Sequence, residues 1–369
     1  MSNRRVSLKT KEIGQMYTGK AITTRQKNEI MPGQPPTFDF PEQGTSNRVS
    51  HQARIPRVVI IGAGFVGSTT AYALMMSGIA AEIVLIDRNP RRAEGQANDL
   101  RDAEVFSHTT RVIVGDFSDC CSADVTIITA GLSQSGQKSR TEGLRETGAI
   151  LHGFVSDVCL QNPRGILLIA SNPVDVLTYA AWKWSGLPAH RVIGSGTSLD
   201  TSRFRRRLAE HYGVASANVH AYVIGEHGDS QIPVLSSARV AGFSLDEFSK
   251  ALGLAPAESP LARIVERTRK AGVDIIDAKG ATYYGIGAAL ARIVRAMLRD
   301  EHAILTVSSR MPESMRLGDV SLSLPSIIDR GGVAGVLPVA LNGPERAALE
   351  ASAEVVKRGV ADLSKAIPM

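Results

Sequence analysis

One histidine is set apart by its surroundings. His227 lies between Gly225 and Gly228, just beyond the apolar run Tyr222-Val223-Ile224, which reads as a short strand. An imidazole on a loop that glycine lets bend projects into a cleft, and it is the side chain whose charge switches nearest neutral pH. The segment from Ser198 to Arg205 opens a helix with a polar cap, so Asp200 and Arg203, three positions apart, share a face. A carboxylate beside His227 would fix the ring's tautomer and favour its protonated form, making it a proton donor near neutral pH. Arg203 would then be placed to grip a substrate carboxylate through two parallel hydrogen bonds, a fork that lysine cannot supply. A solvated ion pair is the plainer reading of Asp200 and Arg203 taken alone.

A second constellation binds rather than reacts. Val58-Val59-Ile60-Ile61 is an apolar strand, followed by Gly62-Ala63-Gly64-Phe65-Val66-Gly67 and by a helix rich in Ala, Leu and Met that ends near Gly78. The next strand, Glu82 to Ile86, finishes on Asp87. Strand, glycines, helix, strand and acid in this order make the dinucleotide fingerprint. The glycines give a tight turn and close backbone approach, the helix N-terminus faces the pyrophosphate, and the acid takes the ribose hydroxyls. Asp87 would repel a 2′-phosphate, so NAD is expected over NADP.

The elements that must hold these groups follow in an α/β rhythm. Further strands are expected at Arg111 to Val114, Val125 to Thr129, Ile166 to Ala170 and Arg191 to Gly194, with helices at Glu142 to Leu160 and Val174 to Trp184. Six strands make a doubly wound parallel sheet of the Rossmann kind, whose ligands lie beyond the carboxyl ends of the strands. After about residue 218 the pattern changes to short strands at Val219 to Ile224 and Gln231 to Leu235. Long helices then follow at Pro260 to Ala278 and Ala281 to Arg299, strands near Ala303 to Ser309 and Val320 to Leu324, and a closing helix from Pro344 to about Lys365. An α+β substrate domain is the expectation there. The division is residues 1–56 as a basic arm, 57–197 as the NAD-binding domain and 198–369 as the catalytic domain.

Composition excludes several classes. The chain of 369 residues is 43% apolar and 21% charged, as soluble globular proteins are. No apolar run approaches the ~18 residues that cross a bilayer. The three cysteines, Cys120, Cys121 and Cys159, are too few and too irregularly spaced for a disulfide framework or a zinc site, so no metal is expected and a reducing, cytoplasmic setting is. The net charge of +6 sits almost wholly in residues 1–56, where nine basic residues face four acids. The remainder is nearly neutral, which argues against a nucleic-acid-binding surface. The arm, with Pro32, Pro35, Pro36 and Pro41 among polar residues, reads as disordered or loosely docked. Three accounts of it stay open: a transit peptide, against which its acids count, a translation start placed upstream of a true start at Met31, and a module that tethers the chain to an acidic surface.

The ordered runs GAGFVGST, VLID, GDFSDC, ITAG, SNPVDVLTY, RVIGSGTSLDTSRFR, VHAYVIGEHGDS, KGATYYGIG and LTVS span essentially everything from Arg57 to the C-terminus. Together they resemble the L-lactate dehydrogenases of the bacterial allosteric kind, within the lactate/malate dehydrogenase superfamily. The resemblance implies reversible reduction of pyruvate to (S)-lactate by NADH, the end step of anaerobic glycolysis. It makes His227 the proton donor and acceptor, Asp200 its orienting partner, Arg203 the carboxylate clamp and Arg140 a loop residue that closes over the substrate and polarises its carbonyl. Asn172 and Thr282 would line the pocket with Gln134. The cofactor site would comprise Gly62, Gly64, Val66, Gly67, Asp87, Arg92, Gly131, Asn172 and Ser195. Arg205 and His220 match the positions at which bacterial relatives bind fructose 1,6-bisphosphate across a subunit interface, which implies a homotetramer; a solvated charge run with Arg206 and Arg207, and an ordinary strand histidine, are the plainer readings.

Two alternatives accompany this reading. Malate dehydrogenases, or dehydrogenases of broader 2-hydroxy acids, share the fold and the histidine, but malate dehydrogenase carries an arginine where Gln134 stands. A neutral amide cannot pair with the second carboxylate of oxaloacetate. A non-catalytic NAD-binding protein is the other, and it has no need to keep Arg140, Asp200, Arg203 and His227 together. The chain also departs from its relatives at Ser135 to Lys138 in the mobile loop, at Phe117, where a tyrosine is common, and in the helix bearing Gly143, Thr147, Gly148 and Gly153. Each glycine in a helix interior costs up to ~1 kcal/mol.

Overall fold

The computed structural model describes residues 55–131, 140–254 and 258–369. Nearly all of the basic arm, and Gln134 with Ser135 to Lys138, lie outside the described residues. The first half alternates strand and helix: β1 (Arg57–Ile61), α1 (Phe65–Met76), β2 (Glu82–Ile86), α2 (Pro90–Glu104), β3 (Arg111–Val114), β4 (Val125–Ile128), α3 (Arg140–Gln161), β5 (Ile166–Ile169), α4 (Val174–Ser185) and β6 (Val192–Gly194). The second half runs through α5 (Ser198–Tyr212), β7 (Val219–Ile224), β8 (Ile232–Val240), β9 (Phe243–Ser244), α6 (Leu245–Ala251), α7 (Glu258–Lys279), α8 (Tyr284–Leu298), β10 (Ala303–Arg310), β11 (Ser321–Asp329), β12 (Gly332–Val336) and α9 (Gly343–Ser364).

Six strands pair in parallel in the order β3-β2-β1-β4-β5-β6, the doubly wound arrangement expected from the sequence. Alternation along each strand explains why they read as unbroken apolar runs. Val59 and Ile61 pack on one face with residues of α3, α4 and α9, while Val58 and Ile60 pack on the other with residues of α1, α2 and α8. A sheet buried on both faces has no polar side to present. Beyond β6 the sheet continues antiparallel into β10, β11 and β12, so three strands of the second half extend the sheet of the first. A separate sheet, β7-β8-β9, packs with α5, α6 and α7 around Phe204, Leu208, Val223 and Val240.

Several elements exceed the sequence reading. α2 is capped by the Asn89 side chain, which accepts from the Arg92 N–H at 3.3 Å, and has Pro90 at its start. Its buried face is only Ala93, Ala97 and Leu100, too narrow a stripe to announce a helix in the sequence. β8 and β11 each run longer than their apolar cores suggest, and α6 and β12 were not expected. Gly148 in α3 has a packing reason: a Cβ there would stand 2.6 Å from Leu363 Cδ1, so its absence lets α9 lie close against α3. Gly143 and Gly153 face open space.

Candidate active site

The glycine turn after β1 is built by exclusion. Gly62 has φ +107°, a conformation L side chains rarely adopt, and a Cβ on Gly67 would stand 1.9 Å from the Gly62 carbonyl oxygen. Around Gly64, by contrast, a Cβ would meet nothing within 4 Å. The helix that follows has no capping side chain and no acid in its first turn, so its leading N–H groups face an open approach. Val66, on that first turn, packs against the core beneath the sheet. At the end of β2 the Asp87 carboxylate is fixed by the N–H groups of Ala63 and Asn89, both at 2.8 Å, and each oxygen keeps a second acceptor site. An open anion cradle beside an oriented acid fits a dinucleotide with a free ribose 2′-hydroxyl.

The loops at the other strand ends converge there. Gly131 follows β4, and the preceding Ala130 carbonyl accepts from the Ser171 hydroxyl on the loop after β5. Asn172 comes next and is exposed, joined to Pro173 by a cis peptide bond. Ser195, buried after β6, donates its N–H to the Ile169 carbonyl at 2.8 Å. Arg92 is exposed in the first turn of α2. From the second half, the Tyr283 ring stacks on Phe65 with centroids 5.2 Å apart, so the turn that carries Thr282 abuts the start of α1. Lys279 Nζ stands 3.4 Å from the Tyr283 ring centroid and fixes that turn further.

His227 is held from three sides. The Asp200 Oδ2 atom lies 2.6 Å from His227 Nδ1, and Asp200 Oδ1 accepts from Arg203 Nη1 at 3.0 Å. The Asp200 side chain is 2% exposed and that of His227 27%, which leaves the ring's far edge open. The bond to Nδ1 leaves Nε2 as the outward-facing nitrogen. Gly225, at φ +87°, bends the chain out of β7, and its backbone exchanges hydrogen bonds of 2.9 and 3.1 Å with Ser323 of β11. A second carboxylate, Asp175 in the first turn of α4, accepts the His227 backbone N–H at 2.7 Å. Sequence reading did not single out Asp175, although it is one acid in a run of buried residues from Val174 to Ala181.

The electrostatics of the pair are consistent between its members. Burial alone would push the His227 imidazole down, but the charge of Asp200 and its hydrogen bond outweigh this and raise the ring above 6.5. Burial works to raise Asp200, yet His227 and Arg203 together hold its carboxyl below 3.8. Arg140 opens α3, and its side chain lies outside the described residues. Arg205 donates from Nε to the Ala221 carbonyl at 2.8 Å and lies over the Tyr222 ring, next to His220, which is exposed on β7. Among the described residues no group of His, Cys, Asp and Glu could hold a metal ion, and no helix is long and apolar enough to cross a membrane.

Comparison with known proteins agrees with this geometry. Residues 56–194 match the family model of the lactate/malate dehydrogenase NAD-binding domain, and residues 197–366 match that of the α/β C-terminal domain. The chain therefore belongs to the lactate/malate dehydrogenase family, and its cofactor is NAD. Among curated proteins it is 47% identical to an L-lactate dehydrogenase of Thermus aquaticus over 301 residues, covering 82% of this chain and 97% of that one. An L-lactate dehydrogenase of Bacillus velezensis is 43% identical over 305 residues, covering 82% and 96%. Among solved structures, the minor L-lactate dehydrogenase of Enterococcus mundtii superposes with a TM-score of 0.81 at 38% identity, covering 84% of this chain and 98% of that one. A lactate dehydrogenase from a deep-sea metagenome of the Medee basin gives 0.79 at 39% identity, covering 84% and 99%.

The Asp200–His227 pair has a definite pH signature. The folded imidazole titrates above 6.5, so its contribution to stability is complete below that pH and is lost as pH rises through the raised value. The carboxylate titrates below 3.8, so its share is complete above 3.8 and is lost as pH falls through the lowered value. In Asp200→Asn the fall in unfolding free energy between about pH 6 and pH 8, measured with urea, is smaller than in the parent. An undiminished fall contradicts the pairing.

Proposed function

We propose that His227 is the proton carrier through which this NAD-dependent L-lactate dehydrogenase interconverts pyruvate and (S)-lactate. The observation that carries the reading is the 2.6 Å contact between His227 Nδ1 and the buried Asp200 carboxylate. NADH, when bound, supplies the hydride that adds to the carbonyl carbon of pyruvate, and NAD+ takes it back from lactate. His227 delivers the proton from Nε2 to the carbonyl oxygen, and in the reverse direction the neutral ring removes it from the lactate hydroxyl. Asp200 holds the ring's tautomer and steadies its charged form, as the orienting acid of a nucleophile-activating histidine does elsewhere.

Arg203, which donates one bond to this acid, is assigned by the family resemblance to grip the substrate carboxylate with its remaining donors. We assign Arg140 the polarising role by the family resemblance, with Asn172 and Thr282 beside the substrate and Gln134 meeting its methyl end. Residues 57–197 serve as the NAD-binding domain and 198–369 as the catalytic domain. In the closed site, exclusion of water strengthens each charged contact. The free thiols Cys120, Cys121 and Cys159 support a cytoplasmic setting.

Turnover in His227→Asn falls by about 10²–10⁴-fold, the range of general acid–base catalysis, while the NADH dissociation constant changes by less than about threefold. Stopped-flow reduction of pyruvate and fluorescence titration with NADH measure the two. Loss of NADH binding, or near-parental turnover, overturns the role.

Specificity for a monocarboxylate is assigned to Gln134. Gln134→Arg raises the ratio of kcat/KM for oxaloacetate over pyruvate by about tenfold or more, because a guanidinium can pair with the second carboxylate. A ratio that does not rise removes Gln134 from the account.

Effector control is assigned to Arg205 and His220. The Nε of Arg205 is engaged by Ala221, which leaves its terminal amino groups for an anion, and among the described residues no carboxylate pairs with it. A fructose 1,6-bisphosphate bound across a two-fold axis of a homotetramer would draw such groups from both subunits. In Arg205→Gln the effector concentration for half-activation rises at least about tenfold while effector-free turnover is kept, read by NADH oxidation with and without the bisphosphate. Identical effector curves for parent and variant contradict the assignment.

A further inference from the structure

The acid beneath the histidine loop has no part in the chemistry described so far. Asp175 is fully buried in α4, whose neighbouring residues Val174, Val176 and Leu177 are apolar. Its Oδ2 accepts the His227 backbone N–H at 2.7 Å, and its Oδ1 lies 3.4 Å from the Ser323 hydroxyl of β11. The same serine oxygen accepts the N–H of Thr197, at the head of α5, at 3.2 Å, and the Ser323 backbone is paired with Gly225. Four elements meet in this knot: α4 from the NAD-binding half, β11, the start of α5 and the histidine loop. A serine or amide oxygen could accept one N–H, whereas a buried carboxylate is costly unless its charge is used.

We propose that Asp175 is a positioning residue for the proton transfer at His227: its carboxylate fixes the histidine's backbone so that the ring meets Asp200, and its negative charge favours the protonated ring. The inference rests on His227 being the proton carrier. The two acids act at different ends of one residue, Asp200 on the ring and Asp175 on the main chain. His227 is faced by Asp200 and Arg203 from α5 and by Asp175 from α4; Asp175 is faced by His227 and Glu226 from the loop, and by Ser308 of β10 and Ser323 of β11. Burial pushes the Asp175 carboxyl up to about 6, against the donors around it, so it carries its charge at neutral pH and loses it in mild acid. Because Asn172 lies three residues before Asp175, on the loop beside the cofactor cleft, the same short segment ties that loop to the height of the imidazole.

The test uses the full chain with Asp175→Asn and Asp175→Ala, reading kcat and KM for pyruvate against pH, and NADH affinity by fluorescence. Asp175→Asn keeps an acceptor oxygen and drops the charge: kcat stays within about tenfold and the alkaline limb of kcat/KM moves to lower pH by about half a unit or more. Asp175→Ala loses both and lowers kcat by about 10²-fold or more, with the NADH dissociation constant within about threefold. An alkaline limb at the parental pH in Asp175→Asn overturns the proposal, whether or not the alanine variant folds. His227→Asn, run in parallel, separates the two levels. Its loss of turnover together with an unmoved limb in Asp175→Asn removes the role of Asp175 alone, while retained turnover in His227→Asn removes the proton carrier and this inference with it.

Discussion

A carboxylate taken almost wholly out of water must be compensated where it lies, and Asp200 is compensated by one imidazole and one guanidinium. The rest of the second half serves that requirement. α5 presents Asp200 and Arg203 from one face, while the Thr201 hydroxyl of the same helix accepts the N–H of Val223 in β7 at 2.9 Å, which ties the helix to the strand leading to His227. Thr197 reinforces this by donating its hydroxyl to the Val223 carbonyl at 2.6 Å. The result is an acid and an imidazole set in register by bonds from threonine side chains to the strand backbone.

The continuous sheet links that unit to the cofactor cleft. β6 ends at Gly194, the point at which β10 joins antiparallel through Ser308, and β11 beside it reaches the histidine loop through Ser323. The glycine turn and the His227 loop thus hang on one continuous sheet, and the Phe65–Tyr283 stack adds a second tie between the two halves. Sites carried on such regular elements hold their geometry better than sites built from loops alone.

Much of this was legible in the chain, for physical reasons that differ by element. β1, α1 and β2 announce themselves because the tight turn between them allows only glycine at Gly62, for its positive φ, and at Gly67, for its approach to the Gly62 carbonyl, and because strands buried on both faces must be apolar throughout. Asp200, Arg203 and His227 were legible as residue types near glycine and a helix start, but their meeting is long-range and entered through family resemblance. α2 was silent because alanines make most of its buried face, and the joining of β10 to β6 leaves no local mark in either strand. Asp175 was hidden for another reason: its partner is a main-chain N–H, which every residue but proline offers, so no pairing of side-chain types points to it.

Selective ¹⁵N labelling of histidine, followed by NMR titration of the intact chain, examines the central pair without recourse to turnover. The account predicts that the His227 ring titrates above 6.5 and that its neutral form carries the proton on Nδ1, toward Asp200. A ring that titrates at or below 6.5, or whose neutral form is protonated on Nε2, contradicts it.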